Sequence, residues 1–251
     1  MSTVLAAIEA DACARPVLET AIALAEVFDA TVAGLHVLGH GAASPRELAS
    51  HCGVELREVS GSAVEQIVAA ACQPDIVALV LGARGVHGGP QPAGHTALEL
   101  ITRLRKPVAV VPPHARPPQH VARLLLPLEG TPQSSRALEE TIKLAHRRQL
   151  EILVLHVHSP ATVPAFSNHD PHATQAWEQE FLARYISTPH QRVKLLRRLG
   201  VPADDIVAVA HESTADLVVL AWSQDLSRGR ALVVSEALAR SDIPVLLLPA
   251  Q

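Results

Sequence analysis

Residues 121–155, VARLLLPLEGTPQSSRALEETIKLAHRRQLEILVL, set beside residues 3–35, TVLAAIEADACARPVLETAIALAEVFDATVAGL, decide the fold. Each runs as an apolar strand, a glutamate, a short polar turn, a helix and a second apolar strand. Glu9 and Glu129 hold matching places, as do GLHV (34–37) and VLHV (154–157). The match continues in order. VELREVSG (54–61) is answered by VKLLRRLG (193–200), and SAVEQIVAAA (62–71) by VPADDIVAVA (201–210). PDIVALVLG (74–82) is answered by ADLVVLAW (215–222), and KPVAVVP (106–112) by IPVLLLP (243–249). Self-similarity sustained this far predicts two copies of one structural unit.

The periodicities name the elements. After Pro16, Val17, Ala21, Leu24, Ala25 and Phe28 recur at three- and four-residue steps, one face of a helix; Leu138, Ile142 and Ala145 repeat this. Residues 76–81, 152–155 and 217–220 are continuously apolar, as parallel strands buried on both faces require. Strands alternating with helices predict an α/β fold, each copy a five-stranded parallel sheet flanked by helices with right-handed crossovers. The proline-rich run PPHARPPQ (112–119) continues neither helix nor central strand. It predicts domains at 1–113 and 120–251. The copies differ after the second strand, where the second has a longer segment (158–191). Within it, residues 175–186 read as a helix with Trp177, Phe181, Leu182 and Tyr185 on its apolar side, either packing on the sheet or forming the wall of a cleft or subunit contact.

Composition narrows the setting. Of 251 residues, 48% are hydrophobic but only 2% aromatic, which suits Ala- and Leu-rich helices on Val- and Leu-rich strands better than a β-sandwich. The formal charge of −4 gives no steering toward nucleic acid or an anionic membrane. Cys13, Cys52 and Cys72 form neither a disulfide framework nor a CxxC pair. No apolar run approaches the roughly 18 residues of a membrane span, and the first residues read as a strand rather than a signal peptide. The expectation is a cytoplasmic protein. The 14 histidines fall mostly on turns and polar segments, predicting solvated surface. His156 and His158, two apart on one strand, are half of a metal site at most. His169 and His172 lie in a predicted turn, NHDPHA. No metal site is expected.

Ligands of a parallel sheet settle outside the carboxyl ends of its strands, where helix N-termini offer unpaired N–H groups. In the first copy that edge gathers residues 9–11, 38–41 and 82–96. The last, GARGVHGGPQPAGHT, carries glycines at 82, 85, 88, 89 and 94 between a strand and a helix. It is either an anion-cradling loop, with Thr96 capping the next helix and donating to a phosphate, or an ordinary Gly/Pro-rich surface loop. It is not a Walker A motif. The counterpart in the second copy, residues 222–234, keeps only Gly229. Ser134–Ser135 and Ser213–Thr214 read as capping residues. No nucleophile–base pair is recognisable, so no catalytic residue is named.

Taken together, these motifs resemble the universal stress protein family, in its tandem two-domain form, over nearly the whole chain. The resemblance rests on Glu9-Ala10-Asp11 and Glu129-Gly130-Thr131 after the first strands, on the Gly82 and Gly85 pair, and on Gly94-His95-Thr96. It implies two Rossmann-like domains of the adenine nucleotide alpha hydrolase type, and ATP or another adenine nucleotide as ligand. Glu9 and Val37 would then lie near the base, and Gly82, Arg84, Gly85, Gly94, His95 and Thr96 near ribose and phosphates. In the second copy Trp222 and Asp225 stand where the glycine pair is expected, implying a half that does not bind or serves chiefly in assembly. The resemblance further implies that the last strands, residues 108–111 and 245–248, pair between the units as an intrachain pseudo-dimer, with a homodimer also open. The functional expectation is a stress-response protein binding nucleotide in its first half. The alternative is an interaction protein without nucleotide, working through its pseudo-symmetric assembly. Slow ATP hydrolysis, with His95 as base, is the one enzymatic option.

Overall fold

A computed structural model describes the chain except residues 12, 40–43, 84–91, 114, 130–131, 159–170, 187–191, 226–230 and 251, and the side chains of 132–133 and 171–174. The first half runs β1 (Thr3–Ala7), α1 (Ala14–Phe28), β2 (Thr31–Leu38), α2 (Arg46–His51), β3 (Glu55–Ser60), α3 (Ala63–Ala71), β4 (Ile76–Gly82), α4 (His95–Arg103) and β5 (Val108–Val111). The second runs β6 (Arg123–Pro127), α5 (Pro132–Arg147), β7 (Glu151–His158), α6 (Pro171–Tyr185), β8 (Val193–Leu199), α7 (Pro202–Glu212), β9 (Leu217–Trp222), α8 (Leu232–Arg240) and β10 (Val245–Pro249).

The strands form one sheet ordered β3-β2-β1-β4-β5-β10-β9-β6-β7-β8. Within each half all neighbours are parallel, with the first strand of the half beside its second and fourth. The halves meet edge to edge without interleaving, through an antiparallel pair that sets Val245 opposite Val110, Leu246 opposite Ala109 and Leu247 opposite Val108. This seam hides the two barest edges, since all four residues of β5 and Val245–Leu248 are buried. The outer edges, β3 and β8, carry Glu55, Arg57 and Glu58, and Lys194, Arg197 and Arg198, charges that discourage further strand addition.

Alternation along β1 sends Val4, Ala6 and Ile8 to one face and Leu5 to the other. Two cores follow, one per face, and each runs across the seam. One includes Leu18 and Leu24 of α1 with Leu138 and Ile142 of α5; the other includes Leu100 of α4 with Val209 of α7 and Leu238 of α8.

The repeat extends to helix ends. α1 stops at Asp29, in the left-handed conformation (φ 55°), with the Ala30 N–H donating to the Ala25 carbonyl; α5 stops alike at Gln149 (φ 57°), with Leu150 donating to Ala145. Two sequence expectations shift. The helix of the longer segment starts at Pro171, so His172 lies in a helix rather than a turn, while His169 lies outside the described residues. That helix packs on the sheet: Phe181 and Ile186 are buried, and Trp177, Leu182 and Tyr185 lean on the core. The solvated-histidine expectation fails at His36 and His158, which are buried.

Candidate functional site

At the carboxyl ends of β1, β2 and β4 a cavity of about 620 Å³ opens between α1, α3 and α4. Its size is that of a small-molecule site. Six of the eight residues expected at a ligand, Glu9, Val37, Gly82, Gly94, His95 and Thr96, line it. Arg84 and Gly85 lie outside the described residues. Apolar walls come from both sheet faces, among them Ile8, Val17, Leu35, Ile67, Leu81 and Leu100.

The lining is mixed in polarity. After β1 stand Glu9 and Asp11. Asp11 Oδ1 accepts the Cys13 N–H at 2.9 Å, and the Asp11 carbonyl accepts that of Ala14, fixing the turn into α1. Burial pushes the Cys13 thiol above its usual range, and the charges of Asp11 and Glu9 push it the same way. The lining also includes the start of α4. Gly94 is its N-cap (φ −64°, ψ 155°), and among the described residues no side chain caps it. Gly94 donates to the Ala83 carbonyl at 2.7 Å, and the first bond of the helix is Leu98 N–H to Gly94 O. The N–H groups of His95, Thr96 and Ala97 precede that bond, so the positive end of the helix dipole meets the cavity. Thr96 therefore sits inside the first turn and does not cap it. The His95 side chain is 88% exposed, with its Nε2 3.5 Å from Glu99 Oε2 one turn on.

His36 is a residue the sequence reading passed over. Buried in β2 and lining the cavity, its Nδ1 donates to the Ile8 carbonyl at 2.9 Å, tying β2 to the end of β1 just before Glu9. His156 does the same to Leu128 at 2.8 Å. The repeated Leu-His of residues 35–36 and 155–156 was the available signal. In the second half that ring also packs against Phe181 (centroids 4.7 Å), Trp177 (5.9 Å) and His158 (4.4 Å), which explains the histidine pair as core. No group of three or more His, Cys, Asp or Glu among the described residues is arranged to hold a metal.

Register corrects the alignment of the glycine pair. Leu79 donates to Pro107 O and pairs with Val108; Val218 donates to Pro244 O and pairs with Val245. Counting on from these equivalents, Ala221 answers Gly82, Trp222 answers Ala83, and Gln224 answers Gly85. Asp225 falls one place beyond. Trp222, 6% exposed, fills its position with an indole where the first half has a methyl group on the cavity wall. Of the capping serines, Ser213 bonds the Val209 carbonyl, while Ser135 reaches from α5 to the Tyr185 carbonyl and joins two helices. No helix among the described residues is long and apolar enough to cross a membrane.

Comparison with known proteins agrees with this architecture. A functionally unknown protein from Pseudomonas aeruginosa PAO1 has a similar structure at 15% identity (TM-score 0.69; 100% of this chain and 93% of that one covered). A universal stress protein from Archaeoglobus fulgidus DSM 4304 is similar at 16% identity (TM-score 0.67; 99% and 96% covered). At these identities the likeness concerns fold. No curated protein matches the chain. The family model described as the universal stress protein family matches residues 120–249, the half whose β9 ends in Trp222. With that match spanning half of the chain, and the same strand order repeated in the other half, the chain belongs to the universal stress protein family.

Proposed function

We propose that the first half binds an adenine nucleotide in the cavity beyond β1, β2 and β4 and acts as a binding or sensing module rather than an enzyme. The observation that carries this is the mixed lining of one open cavity. Two carboxylates in the lining suit hydroxyl or amino donors, apolar walls suit a flat base, and a helix start that no described side chain caps suits an anion. Glu9 and Val37 take the base side. Gly82, Gly94, His95 and Thr96 take the ribose and phosphate side, to which the resemblance also assigns Arg84 and Gly85. Bound nucleotide would supply the signal; the chain's own groups orient it, with Asp11 holding the turn that presents Glu9 and His36 holding Ile8. The second half, with Trp222 in place of a small residue, serves assembly through β10.

Calorimetric titration of the whole chain with ATP and with AMP tests this, alongside Gly85→Val. Binding by the wild type that the variant loses supports the reading. No binding of either nucleotide by the wild type removes it and leaves assembly as the role.

A further inference from the structure

Gln224, the residue that answers Gly85, has a left-handed backbone (φ 59°), a conformation glycine adopts freely and a long side chain adopts at a cost. Glycine is absent here, and the side chain accounts for what is present instead. The Gln224 Nε2 amide reaches out of the second half to the last turn of α4 in the first. It lies 2.5 Å from Leu104 O, 3.1 Å from Ile101 O and 3.4 Å from Thr102 O. The carbonyls that end a helix have no partner within it. Those of α4 therefore find their donor in the other half of the chain, while Thr102 Oγ1 turns back to Leu98 O and Glu99 O. The same helix begins at the cavity with Gly94, His95 and Thr96.

We propose that Gln224 is a positioning residue: a clasp through which the second half's glycine-poor loop holds α4, and so fixes where the helix start meets the ligand. The positional difference between the halves then has a physical sense. Gln224, with an amide donor at the end of two methylenes, ties the second loop to the first half's site helix. α4 is nine residues long and packs through Ala97, Leu100 and Ile101. A short rigid helix transmits a shift at its end to its start more directly than a long one that bends. The ligand part of the proposal rests on the nucleotide reading above; the clasp itself does not.

The test uses the full chain with Gln224→Glu, which keeps the length but loses the donor, and Gln224→Gly, which relaxes the backbone but loses the side chain. Amide exchange at Arg103 and Leu104 is expected to rise about tenfold in both variants, the effect of one capping bond. Exchange at Arg240 and Ser241, the end of α8, stays unchanged. Unaltered exchange at the end of α4, or an equal rise at α8, overturns the clasp. If backbone strain alone mattered, Gln224→Gly would slow exchange, which also overturns it. AMP affinity is expected to fall several-fold in both variants. It should hold in Ser213→Ala, which loses its bond to Val209 O on α7 and serves as a control for general loss of stability. Variants that bind AMP as tightly as the wild type overturn the positioning role. If the wild type binds no AMP, the nucleotide reading falls, and the exchange result alone supports or overturns the clasp.

Discussion

Replacing Gly94 by Asp should make the protein more stable and a poorer nucleotide binder at once. Gly94 caps α4 with backbone angles (φ −64°, ψ 155°) that any residue adopts, and no described side chain serves the N–H groups behind it. An aspartate there accepts from Thr96 or Ala97. Three effects contribute. Asp in place of Gly at an N-cap is worth a few tenths of a kcal/mol, a negative charge at a helix start about 0.3–1 kcal/mol, and loss of glycine's freedom in the unfolded chain about 0.4–1 kcal/mol. The gain is about 1–2 kcal/mol, or roughly 2–8 °C in melting temperature for a chain of this size. The same carboxylate occupies the place proposed for an anion and repels one. AMP affinity should fall at least about tenfold, since the lost interaction with charge exceeds 1.4 kcal/mol. Gly94→Asn is the companion, capping without charge and weakening AMP less. Thermal denaturation and titration calorimetry read both quantities. A stabilised Gly94→Asp that binds AMP like the wild type refutes the anion site; an Asp variant with no gain in stability refutes the uncapped helix end.

Leu246, 1% exposed and opposite Ala109 at the seam, should cost about 2–5 kcal/mol when cut to alanine, read as a lowered urea midpoint; a loss below 1 kcal/mol would mean the seam contributes little. Trp222→Ala should cost about 3–5 kcal/mol by cavity formation and leave AMP stoichiometry unchanged, because Gln224 still replaces the second glycine; a new site in the second half would contradict this. Gly34→Val should destabilise, since a Cβ there would lie 2.9 Å from Leu56 Cδ1 and 3.3 Å from the Glu55 carbonyl in the neighbouring strand; an unchanged melting temperature would show the strands can part. Glu151 is hydrogen-bonded by Lys194 and Arg123, which hold its carboxyl below the usual range. A depressed folded pKa contributes stability above the usual carboxylate range and loses it as pH falls through the lowered value. The gap in urea midpoint between wild type and Glu151→Gln should therefore be present at pH 7 and shrink toward pH 3; a gap constant over that window would refute the pairing.

The fold was legible in the sequence because its signals are local. Continuous apolar runs such as residues 76–81 announced buried parallel strands, and Glu9, Glu129 and the two Leu-His pairs fixed the repeat. Six of the residues expected at a ligand line one cavity because a parallel sheet brings all its strand ends to one edge. What escaped depended on register and on contacts across the chain. An offset of one residue misaligned Trp222 with Gly82, because only the bonds to Pro107 and Pro244 identify equivalent places. His36 looked like a polar residue on a strand, yet its burial follows from the carbonyl of Ile8, 28 positions earlier. Gln224 looked like loop, and its partners lie more than a hundred residues away.

The most direct measurement is the stoichiometry of AMP on the whole chain, with backbone NMR shifts mapping where it binds. The account predicts one nucleotide per chain and shifts concentrated at residues 7–11, 35–39, 81–83 and 94–97. Two nucleotides per chain, none, or shifts centred on residues 127–129 and 221–225 would contradict it.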